Sequence, residues 1–429
     1  MIIYYNNAKV KIKEIYRLSN RKINFEVRNM NVDIEFFSDD ALENIATCLD
    51  YNIDKLIFVG YHEPMNTARK RNLIGLLKNI LSIENVEFVE VLEHNLDDAI
   101  EKLEDIITHE KKVKNKCYFD LTGGDDLILV AAGIVAAKHG ISMHQLDMNT
   151  GELREYSLKR RLDSIADIKK EKLRLNLPQY MKFRGTCINT RMHKVFKSHF
   201  NNAEFVADIK KLWEICKRYG KQWNIYGKFF RNNADTPIEA VVSSPYSHTD
   251  RVADVYKLLK ELEAIGVISR LSKNKHCFRF RYKNQDMKDC LCDSGSILEL
   301  YSFLIASECS YFDSCDIGVH LDWDGIINGW LPDVTNEVDV LLLKDNIPTF
   351  ISCKNGRVDK DALYELDTIA NKFGGKYAKR VILSPQSNDE TLSERAREMG
   401  IVIVDEEIFD WSEEEFKQFF LELYQNERL

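Results

Sequence analysis

The amino-acid sequence predicts an α/β protein in which two α/β domains are joined by a helical middle segment. Apolar, strand-like runs alternate with helical patterns in the first third of the chain, which predicts a doubly wound parallel sheet of Rossmann-like type. The pattern changes after residue 158, where helices dominate, and again near residue 291, where a hairpin stands between two helices. A chain of 429 residues is also too long for one ordinary core, so several domains are expected.

The N-terminal domain is predicted to span residues 30–158. It begins with a short strand at residues 32–36, and Lys55–Gly60 is a continuous apolar run, typical of a strand buried on both faces of a parallel sheet. Further strands are predicted at VEFVEVL and KCYFDLT. Residues 1–29 alternate like a small hairpin outside this pattern, so they are expected to form an N-terminal extension. Helical spacing of apolar residues is found at 39–51, 67–81, 96–112 and 125–140.

The middle segment, residues 159–290, combines helices with a short hairpin. Residues 205–220 have helical spacing, and residues 250–284 predict a helix, a turn and two short strands, which is the order of a winged helix. The basic hairpin, or wing, suits nucleic acid, but a module that only spaces the two outer domains explains the segment as well. The basic residues of the wing are Arg270, Lys273, Lys275, Arg279, Arg281 and Lys283.

Composition limits the functions that the chain can have. The formal net charge is −8, so nucleic-acid binding would need local basic patches such as the wing or residues 158–175. No apolar run approaches the roughly 20 residues needed to span a membrane. The first residues lack the apolar core of a signal peptide, so a cytoplasmic protein with no membrane role is expected. Ten scattered cysteines indicate reduced thiols rather than disulfides.

The C-terminal domain, residues 291–429, carries the predicted chemistry on a hairpin. Successive strand residues point to opposite faces, so Glu337 and Asp339 share one face. Ser352 and Lys354 likewise share a face of the following strand. Closing the hairpin brings two carboxylates beside an amine, and carboxylate oxygens suit Mg²⁺ or Mn²⁺. Lys354 can then position a water or stabilise charge that develops on a phosphate. Spacing alone leaves an ordinary exposed ion cluster equally open.

The elements of this domain follow the order helix, hairpin, helix, strand, helix, strand, which is the core order of the restriction-endonuclease-like fold. Four segments resemble the PD-(D/E)xK nuclease domain of Card- and Can-type CRISPR ancillary nucleases: SILELYSFL, TNEVDVLLL, FISCKNG and ALYELDTIANKFGGKYAKRVILS. In that family the nuclease is fused to a CARF (CRISPR-associated Rossmann fold) sensor. The resemblance implies that Glu299 and Asp339 hold the metal and that Lys354 is the catalytic lysine. Glu337 is then the acidic residue before the family aspartate, and Glu365 supports the site from the next helix.

Ser352 departs from the family pattern, which has a glutamate or aspartate two residues before the lysine. A neutral hydroxyl is a poor ligand for a hard cation. Three outcomes follow: Glu337 or Glu299 supplies the missing carboxylate, the site binds one metal weakly, or the nuclease is degenerate. The first is favoured, because Glu337 is predicted to share the face of Asp339.

Two loops of the N-terminal domain resemble those of CARF sensors. FFSDDALEN follows the first strand, and YFDLTGGDDLI follows a later one. Glycines allow close backbone approach to a ligand and helix N-termini attract phosphate, although Thr122, Gly123 and Gly124 also suit a tight strand-to-helix turn. Asp125 suits ribose hydroxyls or adenine amines. The resemblance implies that this loop binds a cyclic oligoadenylate, with cyclic tetraadenylate as first choice. Further ligand-binding candidates at the same sheet edge are Ser38, Asn44, Gly60 and Asn66.

These resemblances imply a metal-dependent endonuclease of type III CRISPR antiviral defence that a cyclic oligoadenylate switches on. Its substrate is expected to be single-stranded RNA or DNA, or supercoiled duplex DNA. A cyclic tetranucleotide has two-fold symmetry, so a homodimer with one shared pocket is expected, and the middle segment would carry the signal to the hairpin. Two other functions stay open. One is a CARF-type, ligand-controlled DNA-binding regulator with a degenerate nuclease domain, and the other is a housekeeping nuclease whose Rossmann-like domain only scaffolds a dimer.

Overall fold

The structure is a computed structural model of the 429-residue chain. It describes residues 29–40, 42–48, 52–148, 152–156, 174–189, 197–293, 296–323, 325, 334–354, 356–386 and 390–425. The N-terminal extension expected at 1–29 lies almost wholly outside these residues, as does most of the basic stretch 158–175.

The first sheet forms the centre of the N-terminal domain. Its strands are β1 (Asn31–Phe36), β2 (Lys55–Tyr61), β3 (Val86–Val91), β4 (Lys116–Asp120), β5 (Ser142–Leu146) and β6 (Leu153–Tyr156). They lie in the order β3-β2-β1-β4-β5-β6, and all neighbours are parallel except β5 and β6. The expected parallel α/β sheet is therefore confirmed. The order reverses between β1 and β4, and ligands of such sheets bind beyond the carboxyl ends of the strands at that point.

The helices of this domain cover the sheet, and the helix predicted at 67–81 is an α-helix to Leu76 that continues as a π-helical stretch, Leu77–Leu81. They are α1 (Thr67–Leu76), α2 (Leu96–Lys112) and α3 (Asp126–His139). Val32, Ile34 and Phe36 of β1 are buried in one cluster with apolar residues of α2 and α3. Gly140 ends α3 with a φ of 66°, the left-handed conformation that glycine adopts at little cost.

One predicted helix of this domain is not formed. Residues 42–48 make successive turns closed by backbone hydrogen bonds between residues three apart, so a regular helix over 39–51 is wrong for these described residues. Local side chains explain the difference. The amide nitrogen of Asn44 donates to the carbonyl of Ser38, and the carboxylate of Asp40 accepts from a following backbone N–H. Such bonds compete with the hydrogen bonds of a helix.

The middle segment combines helices with a small antiparallel sheet. Its helices are α4 (Leu177–Phe183), α5 (Ala203–Tyr219), α6 (Trp223–Arg231), α7 (Val252–Ala264) and α8 (Gln285–Cys292), and its strands are β7 (Cys187–Ile188), β8 (Val242–Pro245), β9 (Ile268–Lys273) and β10 (Cys277–Tyr282). The sheet order is β8-β10-β9, and α7 precedes the β9–β10 hairpin, as in a winged helix. The exposed basic residues of the wing are Arg270, Lys273, Lys275 and Arg279.

The C-terminal domain is built on a second six-stranded sheet. Its strands are β11 (Ser314–Asp322), β12 (Thr335–Lys344), β13 (Ile347–Cys353), β14 (Lys379–Leu383) and β15 (Ile401–Val404), and its helices are α9 (Ser296–Glu308), α10 (Lys360–Gly374), α11 (Glu390–Glu398) and α12 (Glu413–Gln425). The order is β15-β14-β13-β12-β11-β7, so a strand of the middle segment completes the edge. The predicted β12–β13 hairpin turns at Asp345 and Asn346, whose φ values of 48° and 64° suit a type I′ turn.

Strand β11 is absent from the sequence-based prediction. Its buried apolar residues include Cys315, Ile317, Val319 and Leu321. They occur at every second position, which is the period of a strand and is visible in the sequence. β11 pairs along the length of β12 and so places one more strand beside the predicted hairpin.

The outer domains are joined through a common buried core. One cluster contains Phe58 of the N-terminal domain, Tyr180 of α4, and Phe350 and Phe373 of the C-terminal domain. The hydroxyl of Tyr180 also donates to the carbonyl of Gly374 at 2.8 Å. Helix α4 therefore packs between the two domains. Within the described ranges no single helix is long and apolar enough to cross a membrane, although one bent pair of helices meets the length and composition criteria together.

Candidate functional site

The carboxylate of Asp339 lies at the centre of the candidate site on the hairpin. Its Oδ2 atom accepts a hydrogen bond from the backbone N–H of Cys353 at 2.6 Å and a longer one from Ser352 Oγ at 3.4 Å. Both donors belong to β13, so the hairpin brings these positions together as predicted. Among the described residues, the donors to this carboxylate all bond to Oδ2. The other oxygen, Oδ1, is therefore available to a cation.

Electrostatics make Asp339 suited to a cation. Burial raises the pKa of its carboxyl to about 6, although the Cys353 N–H and the Lys354 ammonium act to lower it. The charge of Glu337 raises this pKa further. A half-buried carboxylate under these conditions is stabilised as an anion when a cation lies beside it. The carboxylate oxygens of Glu337 and Asp339 are ligands of the kind that hard divalent cations prefer.

Lys354 lies at the end of β13 within electrostatic reach of Asp339. Its backbone N–H donates to the carbonyl of Leu383 on β14 at 2.9 Å, which fixes its position in the sheet. Its Nζ atom is 3.9 Å from Glu365 Oε2 on α10. Glu365 is exposed, so this ion pair adds little stability.

Glu299 approaches the same place from α9. Burial raises the pKa of the Cys353 thiol, and the charges of Asp339 and Glu299 raise it further. Because both carboxylates act on one sulfur atom, the structure brings Glu299 and Asp339 into one neighbourhood. The helix and both hairpin strands of the predicted nuclease core therefore each place a candidate residue within electrostatic reach of Cys353.

Glu337 lies at the exposed edge of this site. Its side chain is 49% exposed, and its Oε1 atom is 3.8 Å from Nε2 of His320 on β11. His320 is 9% exposed and was not a candidate, because β11 was not predicted. An imidazole beside the acidic site is therefore the residue that the sequence-based prediction missed, and the alternation of apolar residues along β11 was the signal that would have placed it.

The alternation of strand faces is disturbed at Asp339. Val338 and Val340 are both buried, but Val338 belongs to the core shared with the N-terminal domain and Val340 to the core shared with the middle segment. Gly318 lies opposite Asp339 on β11 and has a φ of 59°. Left-handed backbone at this glycine is consistent with a local twist of the strand pair. Two-residue periodicity thus predicts the hairpin pairing, but the shared face that it predicts for Glu337 and Asp339 does not follow here, because the alternation breaks between Val338 and Val340.

The loop after β4 is the candidate ligand site of the N-terminal domain. The backbone N–H of Thr122 donates to Asp120 Oδ1 at 2.7 Å, and its hydroxyl accepts from the N–H of Leu146 at 2.9 Å. Asp125 caps α3 and accepts a hydrogen bond from the hydroxyl of Tyr61 at 2.8 Å. The loop is therefore held in place at the point where the strand order reverses.

Gly123 and Gly124 allow this loop to pack against the loop after β1. A Cβ atom on Gly124 would lie 2.4 Å from Cβ of Phe36, and the φ of Gly124 is 108°. A Cβ atom on Gly123 would lie 2.9 Å from Ser38 and 3.0 Å from Glu43. Both positions therefore require glycine because the two loops pack closely together. Any role in the approach of a ligand is additional.

The four other ligand-binding candidates mainly shape these loops. The hydroxyl of Ser38 donates to Glu43 Oε2 at 2.6 Å. Asn44 is 2% exposed, and its side-chain oxygen accepts the Ser38 N–H at 2.7 Å. Asn66 caps α1, and a Cβ atom on Gly60 would lie 2.8 Å from a side chain of the β1 loop. Of the four, Ser38 is the one that lies against the Thr-Gly-Gly loop.

The β1 loop also contacts the C-terminal domain directly. Glu43 is 3% exposed, and its Oε1 atom lies 2.5 Å from Lys376 Nζ and accepts the hydroxyl of Tyr377 at 3.0 Å. Its other oxygen accepts the hydroxyl of Ser38. One buried carboxylate therefore joins the candidate ligand loops to the turn between α10 and β14. The middle segment is not the only connection between the outer domains.

A second ion pair lies at the same contact between the domains. Asp40 of the β1 loop pairs with Arg184, which follows α4, at 2.7 Å. A Cβ atom on Gly375 would lie 2.5 Å from Asp40 and 2.6 Å from Arg184, and the φ of Gly375 is 73°. All three parts of the chain therefore meet here. We call this contact the interdomain junction, formed by Asp40, Glu43, Arg184, Gly375, Lys376 and Tyr377.

Comparison with known proteins finds a family that the C-terminal domain resembles. Residues 290–420 match a family model described as Card1-like, endonuclease domain. The matched range contains Glu299, Asp339 and Lys354. The resemblance of this domain to those of CRISPR ancillary nucleases is confirmed. No curated protein sequence matches the chain.

Two solved structures share the fold over nearly the whole chain. Protein VC1899 from Vibrio cholerae has a TM-score of 0.69 at 17% identity, over 92% of this chain and 97% of its own. Can2 from Sulfobacillus thermosulfidooxidans, solved in complex with cyclic tetra-adenylate, has a TM-score of 0.65 at 14% identity, over 93% of this chain and 99% of its own. At these identities the likeness establishes a shared mixed α/β fold and nothing finer.

Proposed function

We propose that this chain is a metal-dependent endonuclease of type III CRISPR antiviral defence that a cyclic oligoadenylate switches on in the cytoplasm. The observation that carries the proposal is a Card1-like endonuclease domain that lies directly against the ligand loops of a Rossmann-like domain. Cyclic tetraadenylate is the first choice of activator, because Can2 has the same fold and was solved with it. The reaction is hydrolysis of phosphodiester bonds in RNA or DNA.

The chemistry follows from the groups around Asp339. Asp339, Glu299 and Glu337 offer oxygen ligands, so they would hold Mg²⁺ or Mn²⁺. When bound, such an ion polarises the phosphate and lowers the pKa of a water. The Cys353 N–H fixes the Asp339 carboxylate by donating to Oδ2. The ammonium of Lys354 stabilises the negative charge that develops on the phosphoryl oxygens.

Glu337 is proposed to compensate for the missing carboxylate at Ser352. We expect Glu337→Gln to raise the Mn²⁺ concentration needed for half-maximal cleavage about 10–100-fold, the range typical of groups that support a metal site. Ser352→Ala is the matched control, because it removes only a hydrogen bond of 3.4 Å and no carboxylate. Parental cleavage by Glu337→Gln across the whole Mn²⁺ titration would show that this residue does not compensate.

Activation is proposed to pass through the interdomain junction. A ligand held by the Thr-Gly-Gly loop would lie beside Ser38. The hydroxyl of Ser38 donates to the carboxylate of Glu43, which forms an ion pair with Lys376. Lys376 follows α10, the helix that carries Glu365 beside Lys354. Helix α10 can therefore transmit a small shift of the junction to the catalytic amine. The ligand acts in this way only if it binds one arrangement of the junction better than another.

The proposed assembly is a homodimer with one activator site. We expect light scattering to give the mass of two chains at micromolar concentration, because a C2 dimer presents two identical loops to a two-fold symmetric ring. Calorimetric titration with cyclic tetraadenylate is expected to give one ring for every two chains. A monomer in the presence of activator, or one ring bound by each chain, would rule out a shared pocket.

The alternative function is a ligand-controlled DNA-binding regulator. The winged-helix-like order of the middle segment and its exposed basic wing favour it. In a winged helix, α7 would enter the DNA groove, and this helix carries Asp254, Glu261 and Glu263 against two lysines. A helix with more acidic than basic residues is poorly suited to phosphate-lined grooves. We therefore favour the nuclease function over the DNA-binding regulator.

The proposal is tested by incubating the purified full chain with Mn²⁺ and labelled single-stranded RNA, single-stranded DNA or supercoiled DNA, each with and without cyclic tetraadenylate. Activator-dependent cutting of any of these substrates supports it. Equal cutting without activator indicates a housekeeping nuclease. Sequence-specific binding to duplex DNA without cutting indicates the regulator.

A further inference from the structure

A buried polar cluster lies on one face of the N-terminal sheet, directly below the Thr-Gly-Gly loop. The strand register places Glu35 of β1 beside Asp120 of β4, and Asp120 beside His144 of β5. Asp33 precedes Glu35 by two residues and therefore projects from the same face of β1. All four side chains are at most 1% exposed. Ionisable groups are rarely buried to this degree unless they are paired or bind a metal.

Three oxygen atoms of this cluster surround one nitrogen atom. His144 Nε2 lies 3.2 Å from Asp33 Oδ2, 3.2 Å from Thr47 Oγ1 and 3.5 Å from Asp120 Oδ2. A single N–H group forms a good hydrogen bond to only one of them. A tetrahedral ion with bonds about 2.0–2.1 Å long separates its ligand atoms by roughly 3.3 Å. The distances from His144 Nε2 to the oxygens of Asp33 and Asp120 are therefore compatible with ligand atoms around a shared cation.

The charges of the cluster also favour a bound cation. When the imidazole of His144 is neutral, as a metal ligand must be, the ionised carboxylates of Asp33 and Asp120 leave two negative charges in the core. Within the described part of the chain, no lysine or arginine forms an ion pair with Asp33, Glu35 or Asp120. Uncompensated buried charge is strongly unfavourable. One divalent cation supplies the two missing positive charges.

The buried carboxylate of Asp33 is a second, independent observation that favours a cation site. It is 0% exposed, and neither of its carboxylate oxygens receives a well-aligned hydrogen bond from a described donor. Oδ2 nevertheless faces His144, and ligand atoms of Asp33, Asp120 and His144 all lie within 4.8 Å of one another. We propose that these three residues bind a divalent transition-metal cation, with Zn²⁺ as the best fit, at a site separate from the nuclease site.

The proposed cation has a structural role in the ligand loop. Zn²⁺ accepts imidazole and carboxylate ligands together and imposes little geometry of its own. Asp120 binds it through Oδ2, while Oδ1 accepts the backbone N–H of Thr122 at 2.7 Å. The cation thus holds the residue on which the loop is anchored. Binding of this cation is independent of nuclease activity and is measured without a nucleic-acid substrate.

The test is the metal content and melting temperature of the full chain carrying Asp339→Ala, which removes a ligand of the nuclease site. After zinc loading and dialysis, elemental analysis is expected to give about one Zn²⁺ per chain. Adding His144→Gln is expected to reduce the content to background. A strong chelator should lower the melting temperature of the Asp339→Ala chain, and Zn²⁺ should restore it, because the ion binds the folded state.

The matched control is Glu110→Gln in the same background. Glu110 is another carboxylate of this domain, 2% exposed and paired with Lys55 at 2.8 Å, so its loss is expected to leave the zinc content unchanged. If His144→Gln does not fold, Asp33→Asn and the chelator response of the Asp339→Ala chain decide the question. Zinc at background in that folded chain, with a melting temperature that chelator leaves unchanged, would overturn the proposal and show that protons neutralise the cluster.

Discussion

Asp339→Asn is expected to lower activator-dependent cleavage at least about 100–1,000-fold, the loss typical when one group that stabilises the transition state is removed. The asparagine oxygen can still accept the Cys353 N–H that Oδ2 accepts at 2.6 Å, so the hairpin should stay folded. What is lost is the negative charge beside the phosphate. Lys354→Met is expected to have a comparable effect, because it removes the nearby ammonium and keeps the aliphatic stem. The measurement is the initial rate on labelled nucleic acid at saturating Mn²⁺ and activator.

Asp361→Asn is the matched control for this prediction. Asp361 is an exposed carboxylate in the first turn of α10, so its loss removes the same charge from the same domain outside the site. We expect parental cleavage from this variant and similar melting temperatures for all three proteins. Full activity of either folded site variant, Asp339→Asn or Lys354→Met, would exclude the hairpin as the catalytic centre.

Glu43→Gln is expected to separate activator binding from cleavage. The variant keeps the size of the side chain but removes the charge that holds Lys376 at 2.5 Å. Coupling between two sites is typically worth about 1–3 kcal/mol, so the stimulation by cyclic tetraadenylate should fall roughly 5–150-fold. Basal cleavage and the calorimetric affinity for the activator are expected to change much less. The ratio of stimulated to basal rate is therefore the quantity to measure.

Lys376→Gln and Lys372→Gln form a matched pair for this experiment. Lys376 is the partner of Glu43, and its loss is expected to reproduce the Glu43→Gln result. Lys372 lies one turn earlier, where its ammonium is over the ring of Trp323. Among the described residues, it contacts none in the loops after β1 and β4. Its variant should be stimulated normally. Normal stimulation of Glu43→Gln and Lys376→Gln would show that the signal takes another route, for example through the middle segment.

Much of the architecture follows from local sequence patterns. The continuous apolar run at Lys55–Gly60 predicts a strand buried on both faces, and it is the second strand of the parallel sheet. The turn predicted at residues 344–346 is found, and Asp345 and Asn346 adopt the positive φ that these residue types tolerate. Hairpin pairing then brings Asp339 beside Ser352 and Cys353. These features depend on residues that are close together in the chain.

The remaining features depend on contacts between distant parts of the chain. Glu43 and Tyr377 are 334 residues apart in sequence, and no local pattern marks them as partners. The face change at Asp339 lies opposite Gly318, which has positive φ in a different strand. Likewise, the cluster around His144 appears only when three strands are placed side by side. Such contacts are set by tertiary packing, which spacing along the sequence does not encode.

Control of cleavage by the activator is tested most directly by the rate of cleavage as cyclic tetraadenylate is titrated into the purified chain at a fixed concentration of Mn²⁺. Little cleavage is expected without activator, followed by a saturable increase that reaches its plateau when the shared site is filled. The same titration with a linear tetraadenylate should give much weaker stimulation, because an open chain lacks the two-fold symmetry of the ring. A rate that is high without activator and unchanged by its addition would contradict ligand control of this nuclease.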